Sequence, residues 1–378
     1  MMSRLCVAIA MLPACAAIRL PFFSPVERSR QQLKAGIAGF YDQSSGIWES
    51  VWGEHMHHGY YGREGFERKD HQQAQIDMVD ESLAWAGVDA GATKAVLDVG
   101  CGIGGSSRHI ARKYGSGGVG ITLSPVQAAR AQVLSDAQGL GGRLKFEVAD
   151  ALAMPFADNS FDLVWSMESG EHMPDKRQFV SELTRVCKPG GRVLVVAWCH
   201  RDLNPGEAAL SDSEERLLGR INRAYFLPRW CSAADYRKLF GEFGMAGIDS
   251  DDWTMAVRRF WPAVIASALR PRNLWGLLRS GLQTLRGALV MPLMISGQKK
   301  GTIKFVLVSA TKPMGAATAS TGPRMSASSE RGPAAAPKRP SPAKVTFVRP
   351  KPVAATPKHV EHEAQAAPPP GFEWGGTY

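Results

Sequence analysis

A short apolar segment that ends in a glycine-rich turn and continues into a helical pattern constrains this chain more than any other feature. Lys94 to Val99 is predicted as a strand, the turn reads Gly100-Cys-Gly-Ile-Gly-Gly105, and residues 106–114 follow as a helix. Glycine permits a sharp turn and the close approach of a ligand, while the start of a helix offers unpaired N–H groups. This corner therefore predicts an α/β domain that binds a nucleotide-like ligand.

The same alternation of strand and helix continues along the chain. Further strands are predicted at 118–123, 144–149, 161–166 and 192–198. Strands that alternate with helices at this spacing are typical of a parallel, doubly wound sheet. A last apolar segment, at 302–308, is predicted to close one edge of that sheet.

The helix after the second strand carries clear signals for both of its ends. Ser124 is predicted as its N-cap, Pro125 as its first residue, and Gly139 as the point where it stops. A helix with these ends completes the second strand–helix unit. Its buried face is expected to carry Val126, Ala129, Val133 and Leu134.

The glycine pattern alone does not identify the ligand. It satisfies both the G-x-G-x-x-G pattern of dinucleotide sites and a G-x-G-x-G pattern preceded by Asp98. A nicotinamide site requires a carboxylate at the end of the second strand, where this chain has Gly120-Ile-Thr-Leu-Ser124. Asp150, after the third strand, is instead placed to meet an adenine amino group. A hydride-transfer enzyme is therefore the weaker interpretation.

Two segments lie outside the predicted sheet and are expected to form the substrate side of a pocket. Residues 40–90 precede the first strand, and residues from about 200 to 300 separate the fifth strand from the last. Within the second segment, 253–295 is rich in Trp and Arg. Such side chains suit either a peripheral membrane contact or a helical cap over the core, and both interpretations stay open.

The positive charge of the chain is concentrated at its two ends. The formal net charge is +10, of which residues 1–34 account for +4 and 312–378 for +5, so that 35–311 carries only +1. A nearly neutral body gives no reason to expect a nucleic-acid partner, and no protein partner is indicated. Because no Cys-x-x-Cys pair occurs, the cysteines of the body are expected to be reduced and structural.

The two ends also differ from the body in composition. Residues 1–34 combine Arg4, an apolar stretch and the small-residue site Ala14-Cys-Ala16, which together predict a targeting leader. The first half fits a secretory signal and the second a plastid or mitochondrial transit peptide, an order that resembles leaders directed to plastids of secondary origin. Residues 312–378 are rich in Ala, Pro and Lys and are expected to form a disordered tail. The folded domain is therefore expected at 35–311.

Longer segments give the body a specific resemblance. Val96-Leu-Asp-Val-Gly-Cys-Gly-Ile-Gly-Gly-Ser-Ser107, Gly120-Ile-Thr-Leu-Ser-Pro-Val-Gln127 and Val164-Trp-Ser-Met-Glu-Ser-Gly-Glu-His-Met-Pro-Asp175 are similar to class I S-adenosylmethionine-dependent methyltransferases. Together with Trp52-Gly-Glu-His-Met-His-His-Gly-Tyr-Tyr61, they make the chain resemble the γ-tocopherol methyltransferase family over about residues 38–312. A group of plant alkaloid N-methyltransferases shares this framework.

The resemblance implies both the fold and the cofactor. The fold would be Rossmann-like, a doubly wound, mostly parallel sheet of seven strands with helical insertions that cap the substrate. The cofactor would be S-adenosylmethionine, and Asp98 would steady the glycine turn. Asp98 and Asp150 have an alternative role as caps of the loops that follow them. The residues implied to contact the cofactor are Gly100, Gly102, Gly104, Thr122, Leu123, Asp150 and Ala151.

The resemblance also implies a reaction, the C-methylation of the chromanol ring of γ-tocopherol to α-tocopherol and of δ-tocopherol to β-tocopherol. A ring carbon is a weak nucleophile until the neighbouring phenol begins to lose its proton, so a general base is expected. His172, which follows the fourth strand, and His58 are the candidates. No metal site is expected, because the spacing of His55, His57 and His58 suits no usual helix-borne site.

An aromatic stripe precedes the sheet. Tyr41, Trp48 and Trp52 are spaced by seven and four residues, which is ordinary spacing for one buried helix face. The alternative is that they line the substrate pocket, where aromatic rings favour a sulfonium cation.

Location and function each keep alternatives. We expect a plastid protein, peripheral on a plastid membrane, with the secretory pathway as the alternative because of the signal-like leader. An N-methyltransferase of a small amine or alkaloid and a cofactor-binding scaffold without catalysis are the rival functions. The intact glycine turn, Asp98 and Asp150 argue against the scaffold.

Overall fold

The computed structural model describes residues 53–268 and 291–315, together with a few isolated positions before residue 53. The predicted leader, the aromatic stripe Tyr41, Trp48 and Trp52, and nearly all of the predicted tail lie outside the described residues. The described strands are β1 (Ala95–Val99), β2 (Gly117–Thr122), β3 (Leu144–Val148), β4 (Phe161–Met167), β5 (Cys187–His200), β6 (Ala246–Asp252) and β7 (Ile303–Thr311).

Helices separate most of these strands, as the sequence predicted, but β3 is followed by β4 without a helix between them. Residues 291–299 are also helical, and a single 3₁₀ turn, Gly170–His172, follows β4. Among the described residues no helix is long and apolar enough to cross a membrane. The helices are α1 (His71–Trp85), α2 (Gly105–Tyr114), α3 (Pro125–Ala137), α4 (Lys176–Val186), α5 (Asp212–Tyr225), α6 (Ala233–Glu242) and α7 (Phe260–Ala268).

The seven strands form one sheet in the order β3-β2-β1-β4-β5-β7-β6. β1 to β5 pair in parallel, while β7 runs antiparallel to both β5 and β6. This is the doubly wound, mostly parallel class I methyltransferase fold that the resemblance implied, and that prediction is confirmed.

The edge of the sheet differs from the prediction. The last apolar segment lies inside the sheet as β7, and the edge is β6, within the 200–300 segment that we placed outside the sheet. β7 reads Ile-Lys-Phe-Val-Leu-Val-Ser-Ala-Thr and is buried along almost its whole length, as a strand with neighbours on both sides requires. β6 reads Ala-Gly-Ile-Asp-Ser-Asp-Asp, and its acidic side chains suit an exposed edge. Because it lacks a run of apolar residues, its sequence does not predict a strand.

Helix α3 confirms its predicted ends and contradicts its predicted face. The Ser124 side chain accepts a hydrogen bond from the Gln127 N–H, Pro125 is the first helical residue, and Gly139 has a positive φ after the last turn. The residues that face the sheet are Gln127, Ala128, Ala131 and Ser135, whereas Val126 and Val133 are exposed. Because small and polar side chains occupy the buried face of α3, the positions of its apolar residues predict the wrong face.

The core divides into two layers because strand side chains alternate between the faces of the sheet. On β5, Leu194 and Val196 face the layer that contains α1 and α5, while Val193 and Val195 face the layer that contains α4 and α6. Both layers are closed by apolar residues of the helices. The sheet is therefore covered on both sides, and only its strand ends remain for a ligand.

The predicted tail begins slightly too early. β7 ends at Thr311, and Lys312 is still buried beside it. The Lys312 ammonium donates to the Asn159 side chain at 2.7 Å and to the Thr184 and Cys187 carbonyls at 2.8 and 2.9 Å. These contacts make Lys312 part of the folded domain.

Candidate functional site

A cavity opens at the carboxyl ends of β1 to β4. It encloses about 930 Å³ of space, including its open mouth. Its walls are the loops that follow these four strands, together with residues 55–57, which cross in front of the sheet. Of the predicted site residues, the structure brings together around it Asp98, Gly100, Gly102, Thr122, Leu123, Asp150, Ala151 and His172.

The glycine turn forms the floor of the cavity. Gly100 and Gly102 have φ values of 85° and 53°, which L-residues with a Cβ rarely adopt. A Cβ on Gly100 would lie 2.2 Å from the Ser169 Cβ, whereas one on Gly102 would meet only the Met56 sulfur, at 3.8 Å. The backbone at Gly102 is therefore open to a ligand, while Gly100 allows the loop after β4 to pack against the turn.

Gly104 has a different role from the other two glycines. It is the N-cap of α2, with φ 79°, and it does not line the cavity. A Cβ at this position would lie 2.7 Å from the Phe146 ring. The need for glycine is thus explained by packing between α2 and β3 rather than by contact with a ligand.

Asp98 links the end of β1 to the start of α2. Its carboxylate is buried and accepts a hydrogen bond of 2.5 Å from the Ser107 hydroxyl. Burial raises the pKa of Asp98 to about 6, because the hydrogen bonds of Ser107 and the charge of Arg108 compensate only part of the lost hydration. Asp98 therefore steadies the glycine turn and also lines the cavity.

The loop after β3 combines both roles that the sequence left open for Asp150. The Asp150 carboxylate accepts the Leu152 N–H at 3.0 Å, as a loop cap does, and both Asp150 and Ala151 line the cavity. On the neighbouring strand, the Thr122 hydroxyl donates to the Gln127 side chain at 2.9 Å. Gln127 also lines the cavity, and the sequence analysis missed it because we read α3 for apolar residues only.

Glu168, directly after β4, is the most constrained side chain of the cavity. The His58 backbone N–H donates to one carboxylate oxygen at 2.5 Å, and the His58 Nδ1 lies 2.6 Å from the other. Trp198 Nε1 donates to the carboxylate at 3.3 Å. Burial alone would raise the pKa of Glu168, but the charge and hydrogen bonds of His58, together with the charge of His57, outweigh burial and lower it. Glu168 is therefore a half-buried anion at the cavity wall.

Backbone strain accompanies this anion. Glu168 has φ 50° and Met56, on the opposite wall, has φ 54°, values that cost free energy in residues other than glycine. We missed Glu168 in the sequence, although its position after a strand in Ser-Met-Glu-Ser was the available signal.

His58 does not line the cavity but supports the carboxylate from behind. Its ring lies in a cage of aromatic side chains whose centroids are 4.3 Å (Phe260), 4.8 Å (Trp198), 4.9 Å (Trp261) and 5.9 Å (Phe305) away. The cage fixes the orientation of the imidazole and excludes water from its contact with Glu168. His58 is thus placed to position Glu168 rather than to touch a ligand.

His172 belongs to the 3₁₀ turn after β4 and lines the cavity. Burial lowers its pKa to about 4, and the nearby Lys176 ammonium lowers it further than the Glu168 charge restores it. Lys176 donates to the Met173 carbonyl at 2.6 Å and to the Glu171 carbonyl at 3.2 Å, which fixes the turn. At neutral pH His172 is therefore an uncharged imidazole.

Residues 54–58, which we call the strap, contribute one part of the cavity wall and are tied to α1 and α2. Arg108 of α2 pairs with Glu54 at 2.7 Å, and the Gln75 amide of α1 donates to the His57 carbonyl at 2.7 Å. Burial lowers the pKa of His57 to about 4. In the part of the chain that the structure describes, no cluster of three His, Cys, Asp or Glu residues could hold a metal ion.

The Trp-rich segment 253–295 is described only in part. The indoles of Trp253 and Trp261 are buried in the protein, so the cap interpretation fits these two residues. Residues 269–290 lie outside the described residues.

Comparison with known proteins gives three findings. A methyltransferase domain family matches residues 97–195. A probable chloroplastic tocopherol O-methyltransferase of Oryza sativa subsp. japonica is 58% identical over 285 residues, which is 74% of this chain and 79% of that protein. Norajmaline N-methyltransferase of Rauvolfia serpentina is 33% identical, over 73% of this chain and 97% of that protein.

A solved structure agrees with the fold. Geranyl diphosphate C-methyltransferase of Streptomyces coelicolor, crystallised with Mg²⁺, geranyl diphosphate and S-adenosylhomocysteine, superposes with a TM-score of 0.59. The match covers 76% of this chain and 99% of that one at 19% identity, and it therefore bears on the architecture alone.

Proposed function

Because this chain belongs to the tocopherol O-methyltransferase family, we propose that it transfers a methyl group from S-adenosylmethionine to the chromanol ring of γ-tocopherol, giving α-tocopherol, and of δ-tocopherol, giving β-tocopherol. The observation that carries the proposal is the 58% identity over 79% of a tocopherol O-methyltransferase. The cavity at the strand ends supplies the place for the reaction.

The residues of the cavity fit the cofactor. The open backbone at Gly102 would lie against the amino-acid end of S-adenosylmethionine, with Gly100 and Asp98 holding the turn. Thr122 and Leu123 would adjoin the ribose, and the loop of Asp150 and Ala151 would adjoin the adenine. Gly104 supports the start of α2 beside this site.

S-adenosylmethionine supplies, when bound, an electrophilic methyl group on a positively charged sulfur. The protein has to align the acceptor carbon with that methyl group and keep water away, an effect that is worth several kcal/mol. The rigid floor at Gly102 and the strap at residues 54–58, whose Met56 lies beside that floor, both enclose the cavity and serve these two purposes.

A proton acceptor makes the ring carbon reactive. We assign this role to His172, because its imidazole lines the cavity and its lowered pKa keeps it unprotonated at neutral pH. As the phenol O–H bond breaks, the imidazole gains the proton, and the Glu168 charge stabilises the imidazolium that forms. Once the ring carbon has gained the methyl group, its own hydrogen leaves as a proton and the oxygen is reprotonated, so the aromatic phenol is restored and one proton is released overall. His58 acts through Glu168 as a positioning residue, held by its aromatic cage.

An N-methyltransferase of a small amine is the second candidate, favoured by the 33% identity to norajmaline N-methyltransferase. An amine needs only its own lone pair and no phenol-directed base. The lower identity, and the presence of His172 at the cavity with Glu168 held by the buried His58, make it the weaker candidate.

The rice relative is named as chloroplastic, which supports a plastid location for this chain. We propose that it lies peripherally on a plastid membrane, since a tocopherol is lipophilic. The signal-like start of the leader keeps the secretory pathway as the alternative, and import of the full chain into isolated plastids separates the two.

The experiment that tests the function incubates the full chain with S-adenosylmethionine and, in parallel, with γ-tocopherol, δ-tocopherol and a panel of amines. The products are resolved by chromatography with mass detection. We expect α-tocopherol from the γ form and β-tocopherol from the δ form. Methylated amines beside untouched tocopherols would overturn the proposal in favour of the second candidate.

A further inference from the structure

A small exposed patch lies next to the aromatic cage. The Phe66 tip, which we define as Phe66, Met255 and Arg258, joins the turn before α1 to the segment before α7. Phe66 is 60% exposed and Met255 is 46% exposed. A single exposed apolar side chain is ordinary in soluble proteins, whereas here two lie on segments that pack against each other at Gly65.

The tip is held rigidly by the backbone beneath it. Gly65 packs so closely on the second segment that a Cβ there would lie 2.0 Å from the Met255 carbonyl oxygen. The Tyr61 N–H donates to the Ala256 carbonyl at 2.9 Å, and both residues are buried. These contacts fix the backbone on both sides of Phe66, so its side chain stays exposed on a rigid surface.

A cation accompanies the apolar side chains. The Arg258 guanidinium lies 3.9 Å from the centre of the Phe66 ring, and its Nε donates to the Gly65 carbonyl at 3.4 Å. Among the described residues Arg258 has no carboxylate within ion-pair distance, whereas the neighbouring Arg63 is paired with Asp251. An aromatic ring and a guanidinium at one tip match the boundary between lipid headgroups and acyl chains.

The tip also connects to the acceptor side of the cavity. The segment that carries Met255 and Arg258 continues into α7, whose Phe260 and Trp261 form part of the cage around His58. Through His58 this path reaches Glu168 at the cavity wall. The tip is thus continuous in the chain with the residues that cage His58, the side chain that supports Glu168 at the cavity wall.

From these observations we infer that the Phe66 tip docks this protein on the surface of an anionic bilayer, with Phe66 and Met255 inserted between headgroups and Arg258 on a lipid phosphate. The inference rests on the proposed function, because a hydrocarbon-tailed acceptor gives the enzyme a reason to work at a membrane. The inference narrows the membrane contact predicted for residues 253–295 to Met255 and Arg258, and it adds Phe66, which lies before α1.

The test measures sedimentation of the full chain with vesicles of phosphatidylcholine containing roughly one third phosphatidylglycerol, and with phosphatidylcholine alone. The double variant Phe66→Ser/Met255→Ser should bind both vesicles at least tenfold more weakly. Arg258→Glu should weaken binding to the anionic vesicles about tenfold and leave the neutral ones unchanged. Val133→Ser, on α3, is the matched control, since Val133 is 57% exposed and lies outside the tip.

The full chain carries basic ends that attract anionic vesicles by themselves, so the comparison is always between variants of the same full chain. Equal binding of the double variant and the Val133→Ser control would overturn the inference, as would wild-type protein that binds neither vesicle. Equal weakening of Arg258→Glu on both vesicles would overturn the role of Arg258.

A second readout separates this inference from the proposed function. With γ-tocopherol dissolved in the vesicles, the double variant should show a KM raised about tenfold, while a chromanol without the hydrocarbon tail is methylated at the wild-type rate. If wild-type protein binds vesicles through the tip but methylates no tocopherol, the proposed function fails and the docking surface stands. If the tip variants also lose activity on the tailless chromanol, their effect does not come from lost membrane docking, and the inference is overturned.

Discussion

The two sides of the cavity are built in opposite ways. The cofactor side comes from one continuous stretch, 98–151, in which each strand delivers its next loop to the same edge. The acceptor side gathers residues from distant parts of the chain, since Glu168 is held by His58, 110 positions away, and His58 is caged by Phe260 and Phe305. Local order thus builds the part of the cavity that we assign to the cofactor, and long-range packing builds the part that we assign to the acceptor.

The largest effect is expected on the cofactor side. Gly102→Asp places a charged side chain where the backbone is open to the ligand and where φ is 53°, so S-adenosylmethionine affinity should fall about a thousandfold. Titration calorimetry measures the S-adenosylmethionine affinity of wild type and variant. Gly142→Asp is the matched control, because Gly142 lies in open space and outside the cavity. Unchanged affinity of Gly102→Asp would refute the assignment of the turn.

The next effect is on stability and depends on pH. The pKa of Asp98 is raised from 3.8 to about 6 by burial, so the folded protein binds a proton that the unfolded chain releases between these values. Stability is therefore lost as pH rises from about 4 to 6, by about 3 kcal/mol at most. Asp98→Asn removes this penalty while keeping an acceptor for Ser107. Relative to wild type, the variant should gain stability at pH 7 and not at pH 4.

Urea unfolding at the two pH values measures that difference. If the free energy of unfolding of Asp98→Asn differs from that of wild type by the same amount at both pH values, Asp98 does not titrate between pH 4 and 7.

On the acceptor side, Glu168→Gln should lower kcat about a hundredfold and leave cofactor affinity within about threefold, because the charge that stabilises the imidazolium is lost. Glu215→Gln, at an exposed position of α5, serves as the control. Equal losses of kcat and of cofactor affinity would contradict the division of the cavity into two sides.

The smallest effect concerns His172. His172→Asn should lower kcat about tenfold to thirtyfold, and the wild-type kcat/KM should stay level from pH 7 to 5 because the pKa of His172 lies near 4. Lys176→Gln should shift the acid limb of the rate profile to higher pH, since the Lys176 charge lowers that pKa. Full turnover of His172→Asn at every pH would clear His172 of the role.

Prediction succeeded where the determining signals are neighbours in the chain. The glycine turn, the caps of α3 and the strand–helix order each depend on residues a few positions apart. The structure places Asp98, Gly102 and Asp150 at one cavity, and their contact with a cofactor stays a prediction. It failed at β6, whose acidic residues carry no apolar pattern, and at the inner face of α3, where Gln127 and Ser135 replace apolar side chains.

The sequence by itself determined the parallel sheet and the cofactor corner, because strand periodicity, glycine and helix caps act over short distances. Only the tertiary structure decided that β7 lies inside the sheet, that His58 supports Glu168 from behind, and that Phe66 meets Arg258 on one surface. These arrangements join residues more than 50 positions apart, and they follow from how apolar faces are buried across the described parts of the chain. No local signal records them.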